Sequence, residues 1–125
     1  MRATLLLARS ATRCDDGTLD LVGAGWFTLT GDVGFVVVSF IEVPAEQSDA
    51  DHKVRVELLD DRGEVLGKPI TRAKAVRARV SGKRPSAASV ISTVRSFPYP
   101  PGRYEIRLSI NGMSEDDWRC GFLRR

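Results

Sequence analysis

The side chains of this chain that could do chemistry are few: one histidine, two cysteines and a handful of paired acids. A lone histidine excludes a histidine-dependent catalytic triad and any multi-histidine metal site. His52 lies between Asp49, Asp51 and a polar loop, a setting that reads as a solvated turn. Cys14 sits in a polar turn and Cys120 in an alternating run with Trp118 and Phe122. They have no metal-ligand spacing, and Cys120 reads as a core cysteine, not a nucleophile. Acids pair at Asp15-Asp16, Asp49/Asp51, Asp60-Asp61 and Glu115-Asp116-Asp117. Two such loops meeting at one end of a domain could offer oxygen ligands to Ca²⁺. Their spacings match no calcium loop, however, and turn formation accounts for them. The expectation is a non-enzyme with no catalytic residue, no metal ligand and no cofactor.

One segment has unusual electrostatics. Residues 68–84 hold Lys68, Arg72, Lys74, Arg77, Arg79, Lys83 and Arg84 and no acid. Such a stripe could track the phosphates of a nucleic acid, with Arg72, Lys74, Arg77, Arg79, Lys83 and Arg84 as the candidate contacts. No aromatic residue is interleaved to stack on bases. Cationic side chains also defend an exposed edge strand against aggregation, and that structural reading is preferred here. The net charge of +3 adds only weak support for a polyanionic partner.

The elements that would position these residues are strands. After a Pro100-Pro101-Gly102 turn, Tyr104, Ile106, Leu108 and Ile110 alternate with Arg103, Glu105, Arg107 and Ser109. A period of two with one apolar side predicts a half-buried strand. Asn111-Gly112 suits the positive φ of a tight turn, and Trp118, Cys120 and Phe122 form the return arm. Earlier candidates are Thr4 to Ala11, Leu19 to Leu29 with Gly23-Ala24-Gly25 as a bulge or close approach, Phe35 to Val43, Lys53 to Asp60, Glu64 to Leu66, Ile70 to Val80 and Ser89 to Phe97. The segment 81–88 reads as the most flexible. Short strands separated by turn signals predict an all-β, two-sheet antiparallel sandwich, immunoglobulin-like or C2-like, of about eight strands with no substantial helix. Residues 1–125 form a single domain on this reading, large enough to bury roughly two-thirds of its unfolded surface. Trp26, Tyr104, Trp118 and Phe122 should be largely buried, with Tyr104 as a tyrosine corner bonded to neighbouring backbone.

Phe35 to Val43 is apolar on both faces, which predicts a central strand covered on both sides. In a two-sheet sandwich the second sheet covers only one. The outer face, around Val36, Val38 and Phe40, is therefore the candidate interface for a protein partner or a second copy.

The opening Thr4-Leu5-Leu6-Leu7-Ala8 strand, Gly23-Ala24-Gly25-Trp26, Ile41-Glu42-Val43-Pro44, Val56-Glu57-Leu58-Leu59-Asp60 and Pro100-Pro101-Gly102-Arg103-Tyr104 resemble a family of small bacterial β-sandwich proteins that have no assigned activity. The resemblance runs over nearly the whole chain. It implies a compact sandwich and no catalytic residue. The function expected is a non-catalytic protein-interaction or assembly module, in the manner of an accessory or decoration subunit of a larger particle. A nucleic-acid-binding module using residues 68–84 is the alternative. No run approaches the roughly 18 apolar residues of a membrane span and residues 3–8 are too short for a signal core. The expected setting is cytoplasmic, or a particle assembled there, without membrane contact.

Overall fold

The computed structural model describes residues 1–77, 79–81 and 84–125, with side chains at 1–72, 75–77 and 87–125. Eleven strands make up the described residues: β1 (Arg2–Ala8), β2 (Ser10–Arg13), β3 (Leu19–Val22), β4 (Thr28–Leu29), β5 (Phe35–Val43), β6 (His52–Leu59), β7 (Thr71–Val76), β8 (Arg79–Ser81), β9 (Arg84–Val94), β10 (Gly102–Ile110) and β11 (Arg119–Arg124), with one 3₁₀ turn at Ala45–Gln47. A four-stranded sheet has the order β1-β5-β9-β8, a five-stranded sheet the order β4-β11-β10-β6-β7, and β2 and β3 pair only with each other. The fold is an all-β sandwich. Among the described residues no helix is long and apolar enough to cross a membrane.

The core lies between the two larger sheets, and alternation builds it. Tyr104, Ile106, Leu108 and Ile110 of β10 are all buried, as are Val54, Val56 and Leu58 of β6 and Phe35, Val37, Ile41 and Val43 of β5. Aromatic rings close one end. Phe97 stands edge-on to Tyr104 at 4.8 Å between centroids, and Phe35 and Phe122 meet at 5.6 Å. Trp118 and Phe122 are buried as expected. Trp26 is only half-buried, packed edge-on against Phe35 at 5.3 Å while the rest of its ring faces a surface groove. The Tyr104 hydroxyl donates to the Pro100 carbonyl, so it pins the turn leading into its own strand. Burial raises the phenol pKa above its ordinary value.

The tight turn falls where the sequence puts it. Asn111 (φ 53°) and Gly112 (φ 80°) occupy the two central positions, and Ile110 and Met113 exchange both backbone hydrogen bonds across it. Three other readings are corrected. The first strand breaks at Arg9, so its end becomes β2. Residues 19–29 divide into β3 and β4, because Gly23 (φ 61°) turns the chain. At this positive φ a side chain would be strained, and its Cβ would also displace the Arg9 side chain 2.8 Å away. Residues 70–80 also divide, into β7 of the five-stranded sheet and β8 of the four-stranded sheet. Of the segment 81–88, read as the most flexible, Ser81 ends β8 and residues 84–88 open the long strand β9, while residues 82 and 83 lie outside the described residues.

The divided first strand supplies what the sandwich alone cannot. The β2–β3 hairpin folds over the outer face of the four-stranded sheet, where Ala11, Leu19 and Leu21 pack on Ala8, Val36, Val38 and Ile91 in a second apolar cluster. Arg13 fixes the hairpin by donating to the Ser89 hydroxyl at 2.7 Å and its carbonyl at 2.9 Å. Val38 is completely buried and Val36 nearly so. Val38→Ala should therefore lower stability by about 2 kcal/mol, and Arg13→Ala by about 1 kcal/mol, measured by urea unfolding. A Val38→Ala protein as stable as the parent would mean that the hairpin does not seal this face.

Candidate functional site

The residues singled out from the sequence scatter over different surfaces. Of the candidate interface, Val36 and Val38 lie beneath the β2–β3 hairpin, and only Phe40, 39% exposed, reaches the surface. The premise that this face lacks a cover is thus overturned: the chain supplies its own, and it is apolar where it meets the sheet. Of the candidate polyanion contacts, Lys83 lies outside the described residues, and the side chains of Lys74, Arg79 and Arg84 are not described. Arg72 is exposed on β7, while Arg77 forms an ion pair with Asp51 at 3.0 Å. Arg72 and Lys74 belong to one sheet and Arg79 and Arg84 to the other. The basic segment is not one strand-borne stripe.

His52 is not in a solvated turn. It opens β6 and is buried, with Nε2 2.8 Å from the Gln47 carbonyl and Nδ1 3.0 Å from the Asn111 side-chain nitrogen. The Asn111 oxygen accepts from the Lys53 N–H at 3.0 Å, which orients its amide so that the nitrogen donates to Nδ1. Nε2 then carries the ring proton and donates to Gln47. Both nitrogens are thus occupied in joining the β5–β6 connection to the β10–β11 turn. The acidic loops serve local backbone. Asp60 Oδ1 accepts from the Arg62 and Glu64 N–H groups, both at 2.9 Å, and Asp16 Oδ1 from Thr18 N–H at 3.0 Å. Among the described residues no three His, Cys, Asp or Glu side chains converge as metal ligands.

Two surfaces remain that sequence reasoning missed. The first is the side of the sandwich where the edge strand β1 meets the β3–β4 connection. Leu7 carbonyl accepts from Gly25 N–H at 2.9 Å, so Leu7 directs its backbone groups away from β5. Antiparallel parity sends those of Leu5 and Ala3 the same way. Among the described residues no backbone group pairs with them. Beside this edge is an open groove of about 620 Å³ whose walls include Arg9, Gly25, Trp26, Thr28 and Val33. Val22, Phe27 and Val33 on this segment are 60%, 68% and 48% exposed, and the buried Trp26 indole N–H has no hydrogen-bond partner among the described residues. The period-two signal of β1 shows which side chains are buried but not which edge stays open.

The second surface is the outer face of the five-stranded sheet, which carries Lys53, Arg55 and Glu57 of β6, Arg103, Glu105 and Arg107 of β10, and Arg119 of β11. Glu57 is 7% exposed although it points outward. Arg107 lies 3.2 Å and Arg55 3.5 Å from its carboxylate oxygens, and they cover it. Arg119 pairs with Glu105 at 3.1 Å.

Both cysteines are free thiols. Cys120 is half-buried on the inner side of β11, and burial together with the nearby Glu105 carboxylate raises its pKa. At neutral pH it stays protonated, which argues against a nucleophile. Its alkylation by iodoacetamide should be slower than that of an unstructured cysteine peptide at pH 7.5. It should accelerate only as pH rises beyond the ordinary thiol range, and Glu105→Gln should shift that acceleration to lower pH. Peptide mapping of the alkylated protein reads this directly, and rapid labelling of Cys120 at neutral pH would contradict it.

No family model matches the chain, and no curated protein matches it. Among solved structures, the chain is similar to the Pseudomonas fluorescens alkylpurine DNA glycosylase AlkC bound to DNA containing an abasic site analog. That likeness has 15% sequence identity and a TM-score of 0.51, over 78% of this chain and 27% of the other. At that identity it shows a shared fold. The chain spans about a quarter of the length of that solved protein.

Proposed function

We propose that the chain is a non-catalytic protein-interaction module that takes an extended segment of its partner onto the open edge of β1. The observation carrying this reading is the contrast between β1 and the other three sheet edges. β4 is two residues long and β8 three, and β7 is interrupted by a register shift against β6. Short, irregular or cationic edges resist pairing with other chains. β1 has seven residues and a continuous register with β5, with neither proline nor lysine. Its free Ala3 and Leu5 groups present alternating donors and acceptors, which only another extended backbone satisfies in register.

The groove defines the partner further. A strand laid along Ala3 and Leu5 meets Gly25 beside Leu7, so its following residue turns onto the wall formed by Trp26, Thr28 and Val33. An extended peptide with an apolar side chain at that point fits, and aromatic anchors of this kind concentrate binding energy in interfaces. Incorporation as an accessory subunit of a larger assembly would use the same edge. The alternative of a nucleic-acid module using residues 68–84 draws on the DNA to which the similar solved protein is bound. It loses continuity because those residues divide between two sheets.

Ala3→Pro tests the proposal cleanly, since it deletes an outward N–H and leaves the β1–β5 bonds made by the even-numbered residues. Amide exchange of the free protein should be fast at Ala3 and Leu5 and slow at Thr4 and Leu6. A partner captured by the parent protein should protect Ala3 and Leu5 and should be lost with Ala3→Pro and with Val33→Ser, which alters the groove wall. Retention by a folded Ala3→Pro protein would sink the edge-pairing reading. A parent protein that dimerises with the same protection pattern would identify a second copy as the occupant.

A further inference from the structure

We infer that the outer face of the five-stranded sheet is a docking surface for the phosphodiester backbone of a nucleic acid. This surface is distinct from the β1 edge, and the inference stands whether or not that edge is used. Along β6 the outward positions are Lys53, Arg55, Glu57 and Leu59, along β10 they are Arg103, Glu105, Arg107 and Ser109, and Leu123 of β11 shares the face. Arg119 of β11 lies directly opposite Arg107, which in turn lies opposite Glu57. Five cations thus share the face with two carboxylates. Like charges placed directly across a pair of strands are unfavourable, so a sequence selected for stability alone would alternate the signs.

The two carboxylates are fully committed. Glu57, nearly buried, holds Arg55 and Arg107, and Glu105 holds Arg119. They hold guanidinium groups on the outer face, the fork geometry that suits phosphate oxygens, although the Arg107 Nε is itself buried and without a partner among the described residues. Lys53 and Arg103 have no ion-pair partner among the described residues and mark the two ends of the track. Two shallow grooves open onto this face. One, of about 790 Å³, lies among Lys53, Arg55, Glu57 and Arg107, and the other, of about 660 Å³, lies among Arg62, Arg103 and Arg119 together with the acids Asp60, Asp61 and Glu105.

Two absences on the face select among polyanions. The exposed large hydrophobic side chains of the described residues lie elsewhere, on residues 22–33 and at Phe40, Val65 and Met113. An acidic protein partner would normally need an apolar anchor of that kind. No outward position of β6, β10 or β11 is aromatic, so nothing here stacks on bases. Recognition is therefore of backbone phosphates, without sequence preference and with strong salt dependence.

Gly121 provides the sharpest test. It sits in the middle of the track on β11, and a Cβ there would meet nothing nearer than the Tyr104 carbonyl at 3.8 Å. A side chain can therefore be added without a steric clash, and a glutamate there stands directly opposite Glu105 and adds negative charge to the middle of the track. Binding of a fluorescein-labelled 20-base-pair duplex of mixed sequence should be measured by anisotropy between about 50 and 200 mM salt. The parent protein should bind, with affinity falling steeply as salt rises, and two duplexes of different sequence should behave alike. Gly121→Glu should weaken binding by about tenfold or more, and Arg107→Gln/Arg119→Gln should reduce the salt slope by about 2. Because the arginine pair also neutralises Glu57 and Glu105, Lys53→Gln/Arg103→Gln serves as a second variant that breaks no ion pair and should also weaken binding. No binding at about 50 mM salt overturns the inference. So does unchanged affinity in folded Gly121→Glu and Lys53→Gln/Arg103→Gln proteins, or competition by polyglutamate as effective as by unlabelled duplex.

Discussion

The structure depends on the burial of one strand on two faces. Phe35, Val37, Ile41 and Val43 of β5 face the opposing sheet, while Val36 and Val38 face the other way and are buried as deeply. An aqueous outer face would leave those valines in water, and closing it stabilises the fold by roughly 1.5–3 kcal/mol for each. The chain solves this by ending β1 at Ala8 and folding the next residues back as the β2–β3 hairpin. That choice propagates. The hairpin must return to the sandwich, and it does so through the glycine turn at Gly23 and the Gly25 bond to Leu7. The return leaves Trp26 half-buried and, among the described residues, leaves the edge of the first part of β1 that faces away from β5 without a paired strand. The open edge and the groove beside it are thus consequences of covering β5.

The opposite side of the molecule is governed by charge. The five-stranded sheet needs only one apolar face, so its outer positions are free to be polar. Bringing Glu57 to near-complete burial on that face would be costly for an unpaired carboxylate. Arg55 and Arg107 offset this by flanking it from the same strand and the neighbouring one, at 3.5 and 3.2 Å. A buried carboxylate gripped by two arginines is a rigid feature on an otherwise solvated surface. Mobile surface ion pairs contribute little and would not fix the guanidinium planes. Rigidity of this kind lowers the cost of ordering long side chains when a ligand binds.

How much of this was legible depended on the type of signal. The alternation of Tyr104 to Ile110, the Asn111-Gly112 turn and the two-faced run Phe35 to Val43 are local patterns, and each reappears in the structure. What a period of two does not encode is which element covers a face or which strand lies next to which. The cover of Val36 and Val38 comes from residues 11–21, about twenty residues away in sequence, and their alternation reads equally well as an ordinary sheet strand. Residues 70–80 look continuous because arginines and alanines carry little periodic information, yet they pass from one sheet to the other. His52 was misplaced for a similar reason. Its acidic neighbours suggest water, but its partners, Gln47 and Asn111, are a loop carbonyl and a turn 59 residues away. The cationic face was visible only as scattered arginines, because Lys53, Arg107 and Arg119 become neighbours through the register of β6, β10 and β11.

The two surfaces meet at one rim. β11 lies between β4 and β10 in its sheet and approaches β1 across the side of the sandwich. Pairing at the edge uses backbone groups and apolar side chains, whereas the sheet face offers guanidinium and ammonium groups, so neither ligand competes for the other's contacts. Occupying the edge would cover part of the 22–33 segment and leave the arginine track untouched, because Glu57 and Glu105 pair with its arginines within the sheet. On the reading proposed above, a sandwich with one chemically apolar side and one cationic face, each positioned by a different constraint, would hold two unlike partners together.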